Sequence, residues 1–457
     1  GVEDIYPIDK VQADWEYVRE FTEKVNKEGF PMFMGYEWQG AGKDGDHNVF
    51  FLKNDQNPYF PLRYSELEKN FREADCIAIP HHLAYELGHR GKNWETHNDK
   101  FSPFAEIYSS HGSSENDESQ FAMDRHIHMG PRTGVTAVEK GWEKGHQFGV
   151  IASGDNHSVP GVYGFGYIAV LAEDNTKESI WDAFINKRVY GVSKDRIKVD
   201  FLIDDTVMGG SVSPKKDSKL VLNVEASNAI DRIEIIEDNI TTEMIPHTST
   251  WEKESLGKNV QFKFKADFGW GPDRRIFPDI KSRNWSGSLS TEGKILSIEK
   301  CWSNFGQHLY DVTDNSCKFD LTSYKTTATG KWMGPSAVTT EGFIFEISAP
   351  IDSFIVLTVD GKEYKFEVKE LFESSRLIPL LEEAEELLKE NFNFTEYYRT
   401  DPWWHNAYKI KISKAVPVSG YTRRIERTID TTNISNVRVR VWQKDGGAAW
   451  SSPIFVK

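Results

Sequence analysis

Four short apolar runs in the first third of this chain each end in a carboxylate or an imidazole. Gly35-Tyr36-Glu37 closes the first and Pro80-His81-His82 the second. Ser109-Ser110-His111 leads out of the third, and Ser153-Gly154-Asp155-Asn156-His157 closes the fourth. Asp155 and His157, two apart in an extended segment, point to the same side. Mixed imidazole and carboxylate donors suit Zn, Mn or Fe, and more than four of them imply more than one ion. Each donor alone has a plainer reading: Glu37 as a helix cap, His81-His82 as a core histidine beside an exposed one, Asp-x-His as a turn. Taken together, the four strand ends point to a metal centre. His126-x-His128 lies near a predicted helix start, where residues two apart diverge by ~200°, and reads as a decoy. His89, His97 and His146 have no partner pattern and read as surface positions.

The elements that must position these donors follow from the pattern around them. Helical stretches at Trp15–Val25, Tyr64–Phe71 and about Val135–Gly145 alternate with apolar runs at Pro31–Met34, Ile77–Ile79, Phe104–Tyr108 and Phe148–Ala152. Short unbroken apolar strands separated by helices predict a parallel sheet covered on both faces. In α/β barrels the carboxyl ends of such strands carry the active site. From about Lys198 the pattern changes to alternating apolar and polar runs punctuated by Gly, Asp, Asn and Ser, which predicts an antiparallel β-sandwich. A helix over Leu377–Lys389 packs outside it, and the strand Val437–Trp442 pairs inside the sheet with its alternating Val and Arg presenting one apolar face. Two domains are expected: 1–197, α/β and metal-binding, and 198–457, a β-sandwich with the inserted helix.

Composition excludes several partners. Lys plus Arg number 55 and Asp plus Glu 70, a net charge of −15 over 457 residues. That field repels polyanions, so nucleic acid and anionic membranes are not expected. No window approaches the ~18 consecutive apolar residues of a membrane span. Three cysteines exclude a disulfide scaffold. Cys76 reads as a buried small hydrophobe, and Cys301 with Cys317 either pair or do not. There is no Gly-x-Ser-x-Gly elbow and no phosphate loop; Gly161–Gly166 reads as a loop beside the site. A chain starting at Gly1 is expected to be processed, a fragment, or numbered from an internal residue. Fourteen Trp and the sequons at Asn239, Asn284, Asn393 and Asn433 point to a secreted, extracellular or periplasmic protein.

The strand-end motifs, with Asn48-Val49-Phe50 after His47 and Glu106-Ile107-Tyr108 before His111, resemble the PHP (polymerase and histidinol phosphatase) superfamily. The nearest branch is a set of uncharacterised, often exported PHP-like proteins. The resemblance continues through Ser179–Ala183, Arg188–Gly191, Asp195–Ile197 and Met208-Gly209 to Ala449–Ile454. It implies a distorted (β/α)7 barrel holding two or three divalent metals (Zn, Mn or Fe) and hydrolysing a phosphate mono- or diester. By position, Glu37 would bridge metals, His81 would be a terminal ligand, and Asp155 and His157 would close the site. Either Glu106 or His111 would supply the remaining ligand, His111 being favoured. His47, His82 and Arg196 would be outer or substrate-phosphate groups for a small phosphorylated substrate. The family also opens with an Asp-x-His-x-His strand end and a later Asp-His, and neither precedes Glu37 here. Fewer metals are then expected, and the open barrel edge would be filled by a cleaved amino-terminal segment or a neighbouring subunit. The alternative is a non-catalytic structural or binding protein of the cell exterior that assembles through that edge.

Overall fold

A 20-residue amphipathic helix, α1 (Ile8–Lys27), carries Trp15 on its inner face. Trp15 meets Tyr36 and Phe51 edge-on, with ring centroids 5.9 and 6.3 Å apart. Those two aromatics belong to a three-stranded sheet: β1 (Met34–Trp38), β2 (His47–Phe51) and β3 (Cys76–Pro80), in that spatial order. This computed structural model describes residues 7–123, 129–155, 166–247, 256–273, 276–304, 306–324, 340–393 and 401–457.

The expected (β/α)7 barrel is not formed. β1 pairs antiparallel with β2, and β2 antiparallel with β3, so the front sheet is not a run of parallel strands. The cause is local. The connection from Trp38 to His47 is too short for a crossover helix, and its Gly40, Gly42 and Gly45 reverse the chain with φ of +54°, +72° and +85°. Asn48-Val49-Phe50 therefore returns as a strand wedged between the two apolar runs read as neighbours. Among the described front strands, the parallel arrangement survives at β4 (Phe104–Ser109) with β6 (Gly149–Ala152). β5 (Gly112–Ser113) folds back on β4.

A second sheet joins the front to the end of the chain. β7 (Tyr167–Val170) pairs with β8 (Val189–Val192), and β8 with Ala448–Ser451, which in turn pairs with Asn436–Gln443. β9 (Ile197–Ile203) begins a separate antiparallel sheet with Ser218–Ala226 and Thr422–Ile429. The remaining strands also pair antiparallel in large part, as around Asn259–Trp270, which lies between Glu341–Pro350 and Tyr408–Ile412. The back half is thus several antiparallel sheets. Its two main apolar cores are one lined by Phe201, Leu222 and Val439 and another lined by Phe264, Phe319 and Phe345.

Two details differ from the sequence reading. The helix expected from Leu377 spans Leu381–Phe392, and Arg376–Pro379 is a strand on Tyr408–Ile412. Pro379 accounts for the delay, since the residue before a proline is held extended. The arginines of Asn436–Gln443 do not face water. Arg438 is 1% exposed and its Nη1 donates to Glu115 at 2.6 Å, while Nη2 reaches Glu139. Arg440 pairs with Glu115 at 2.8 Å and also with Glu234. Cys301 and Cys317 are free, on strands of different sheets. No described helix is long and apolar enough to cross a membrane.

Candidate metal centre

The carboxyl ends of β1, β3, β4 and β6 deliver one connected group of side chains. Glu106, in β4, is fully buried and anchors it. One of its oxygens accepts the His82 amide at 2.9 Å. The other accepts from His81 Nδ1 at 2.8 Å and from the Ser153 hydroxyl. With both oxygens engaged, Glu106 fixes the His81 ring so that Nε2 faces Asp155 Oδ1, 3.2 Å away. The second oxygen of Asp155 lies 2.7 Å from His111 Nε2. The other nitrogen of His111 is hydrogen-bonded to the Tyr85 hydroxyl at 2.7 Å. Asp155 and His82 both hold positive φ, +46° and +30°, conformations that non-glycine residues adopt at a cost of about 1–3 kcal/mol.

Glu37 and Asp46 complete the group. His82 Nε2 stands 3.6 Å from Glu37 and 3.7 Å from Asp46. Ligand-capable atoms of Glu37, His81 and His82 all lie within 4.8 Å of one another. Arg90 Nη1 is 3.4 Å from Asp46. Asp46 Oδ2 and His82 Nδ1 are buried with no hydrogen-bond partner among the described residues. Glu37 is the most open member, with its side chain 27% exposed.

Charge in this group is unevenly compensated. Burial pushes the Asp46 carboxyl up to about 7, against the pull of Arg90 and with Glu37 and Asp155 adding to the push. Glu37 is held down at about 2: the His82 ring 3.6 Å away and the charge of His81 outweigh its desolvation. Desolvation also opposes ionisation of Asp155, but His111 and His81 hold its carboxyl far below the usual range. Burial would discharge His81, yet Glu106 and Asp155 together raise it well above its ordinary value. Burial and the neighbouring His81 lower His82 to about 4, leaving it neutral.

Glu37, His81, His82, Glu106, His111 and Asp155 are therefore brought together as the strand-end pattern anticipates. His157, His126 and His128 lie outside the described residues. His47 is buried one step away, its Nδ1 bonded to the Gly45 carbonyl at 2.8 Å and its Nε2 3.1 Å from Lys92 Nζ. Arg196 does not join the group: it is exposed, and its amide donates to Glu299 at 2.9 Å. The turn between β8 and β9 carries it to a different cluster, where Asp195, Glu299 and Cys301 gather. Sequence reasoning missed Asp46, Tyr85, Arg90 and Ser153. Of these, Asp46 carried a usable signal, as an acidic residue adjoining His47 in a glycine-rich reversal.

Comparison with known proteins adds little chemistry. A family model described as a protein of unknown function (DUF3604) matches residues 162–216, a stretch that holds none of the clustered side chains. An uncharacterised protein of Chlamydia pneumoniae is 26% identical over 229 residues, covering 46% of this chain and 36% of its own. An uncharacterised protein of Chlamydia trachomatis serovar D is 27% identical over 206 residues, covering 41% of this chain and 32% of its own. The matches thus span about a third of the length of these curated relatives. No solved structure matches.

Proposed function

We propose that this cluster holds divalent metal ions and uses them to hydrolyse a phosphate ester. The observation that carries the reading is Asp46: a buried carboxylate oxygen with no hydrogen bond, in a group where carboxylates outnumber cationic partners. Buried carboxylates are costly unless paired or coordinated to a metal. The donors are imidazoles and carboxylates, the set that Zn, Mn and Fe share. Glu37, Asp46, His81, His111 and Asp155 would hold the ions, with His157 belonging to the set by its place in the sequence. Glu106 has no oxygen to spare, and its part is to orient His81, as carboxylates behind metal-bound histidines do. That choice favours His111 over Glu106 as the further ligand.

Bound there, divalent ions would lower the pKa of a bridging water and stabilise the attacking and leaving oxygens of the ester. The chain supplies the rest. Arg90 offers a cation beside Asp46 for a substrate phosphate. Tyr85 holds the His111 ring by its far nitrogen, and the exposed edge of Glu37 is the side from which substrate enters. Arg196 has no place in this reading.

Elemental analysis of the purified chain, with turnover of bis-p-nitrophenyl phosphate in added Mn or Zn, tests it. Bound metal is expected, with activity abolished by chelator and lowered at least ~100-fold in Asp155→Asn and Glu37→Gln. A chain that binds no added metal and turns over no phosphodiester would overturn the reading in favour of a non-catalytic binding protein.

A further inference from the structure

We propose a second metal site, structural rather than catalytic, formed by His97, Asp99 and His146 at the amino ends of β4 and β6. It stands at the other end of these strands from the cluster above and does not depend on that cluster's function.

Local structure sets the three side chains. The Asn93 side chain caps a single 3₁₀ turn, Trp94–Thr96, by accepting the Glu95 amide at 3.1 Å. His97 follows in extended backbone and turns its ring inward between Trp94 and Phe148, whose ring centroids lie 5.1 and 5.2 Å away. The His97 side chain is 0% exposed, and neither ring nitrogen makes a hydrogen bond. A buried imidazole with neither nitrogen hydrogen-bonded carries a desolvation cost that the Asp99 carboxylate, 3.3 Å from Nε2, opposes only in part.

Asp99 Oδ1 lies between two imidazoles, 3.3 Å from His97 Nε2 and 3.2 Å from His146 Nδ1, yet it too is buried without a hydrogen bond. Its partner oxygen accepts the Gln147 amide at 2.9 Å, which fixes the carboxylate. The tautomer of His146 is settled by its far nitrogen. Nε2 is 2.8 Å from the Trp94 carbonyl, an acceptor only, so Nε2 carries the proton. In the neutral ring Nδ1 then presents a lone pair toward a carboxylate oxygen. Two lone pairs facing each other are repulsive unless a proton or a metal cation sits between them, and the second unbonded imidazole on the same oxygen, His97, favours the metal.

The spacing fits such a cation. Ligand atoms about 2.0–2.1 Å from a tetrahedral ion stand about 3.3 Å apart. The three donor atoms all lie within 4.8 Å of one another. The Trp94 carbonyl behind His146 and the Gln147 amide behind Asp99 are the outer hydrogen bonds that metal ligands of this kind possess. Asp99 is partly exposed, which leaves a fourth position for water and a route of entry. Two histidines and one carboxylate select an ion of zinc type. Its effect is to tie the segment before β4 to the segment before β6, 49 residues apart in sequence, at the base of the pair that carries Glu106 and Asp155.

The test uses the full chain with zinc alone as probe, in two backgrounds. In the double variant His81→Ala/Asp155→Asn, which disables the first centre, about one zinc per chain is expected to remain after dialysis. Adding His146→Ala or Asp99→Asn should weaken that binding by at least ~10-fold. In the otherwise native chain, the same substitutions should lower zinc content by about one ion and leave phosphodiester turnover unchanged. Cobalt substituted for zinc should give a tetrahedral visible absorption band that disappears in His97→Ala. Undiminished zinc binding in both Asp99→Asn and His146→Ala overturns the site, as does a native chain in which neither substitution changes metal content. A native chain that holds the second ion yet turns over no phosphodiester would count against the first centre only.

Discussion

Two buried groups of charged side chains among the described residues differ in how their charge is balanced. Around Glu115, two arginines of the strand Asn436–Gln443 meet three carboxylates. Arg438 bonds Glu115 and Glu139, Arg440 bonds Glu115 and Glu234, and the Trp450 indole donates to Glu115 at 3.0 Å. Arg438 and Arg440 hold Glu115 below its ordinary pKa despite full burial. Around Asp155, four carboxylates meet three imidazoles and only Arg90, and one carboxylate oxygen is left unbonded. In the first group every carboxylate has an arginine partner, and the unbonded atom, Arg438 Nε, is a donor. The second lacks cationic charge, and that deficit separates a structural network from a candidate binding site.

The contrast can be broken most severely at Arg438. Replacing it with Ala leaves Glu115 buried without its main partner, and a loss of about 3–5 kcal/mol in urea unfolding is expected. A loss below about 1 kcal/mol would mean that the network is not what holds this region.

Lys92 sharpens the comparison as a buried cation with no ion pair among the described residues, its ammonium 3.1 Å from His47 and over the Tyr64 ring at 4.6 Å. Burial lowers it to about 7, with Asp44 opposing weakly. This folded pKa lies below the unfolded value of about 10.5, so between the two the unfolded chain binds a proton that the folded chain lacks. Stability should therefore rise with pH from about 7 to about 10.5, and the full burial cost should be present below 7. Lys92→Met should flatten that rise and add on the order of 2 kcal/mol at pH 6, read from denaturant midpoints across pH.

Asp46→Asn should act oppositely to Arg438→Ala. Removing a surplus carboxylate should stabilise the chelator-treated chain by on the order of 1 kcal/mol above pH 7, while the stabilisation gained on adding Mn shrinks. Thermal melts with and without Mn would show this, and a destabilised metal-free variant would erase the distinction between the two groups. The smallest effect belongs to an exposed pair. Lys10→Ala, which breaks a 3.0 Å contact with Asp14 on α1, should change stability by less than about 0.5 kcal/mol.

The legible part of the centre was local. Glu37, His81, His111 and Asp155 each sit at the end of an apolar run, so their types and positions could be read one strand at a time. The barrel pattern fails because one hairpin, turned by Gly40, Gly42 and Gly45, reverses the chain between β1 and β3 and inserts β2 antiparallel to both. His97 and His146 looked unpartnered because Asp99 and the packing of Phe148 bring them together only in three dimensions. Arg438 and Arg440 looked like the wet face of a strand, since the carboxylates that bury them lie in other elements. Arg196 was chosen by resemblance alone, and the exposed turn beside Glu299 holds it elsewhere.

The bond between Arg438 and Glu115 spans 323 positions of sequence. During synthesis the ribosome emits Glu115 long before its partner exists, and at about 5–20 residues per second the wait lasts tens of seconds. Through that interval β4 and β6 lack the strands that cover them. The Ser452 hydroxyl that accepts the Val150 amide, and Trp450 that stacks on Tyr108, are still unmade. The nascent front half thus presents unpaired strand edge, aromatic surface and a buried-type carboxylate, a state that invites chaperone binding. Closure comes only when residues 438–457 arrive, so a chain cut short before Arg438 should lose the order of β4 and β6, although every side chain of the metal cluster has already been made.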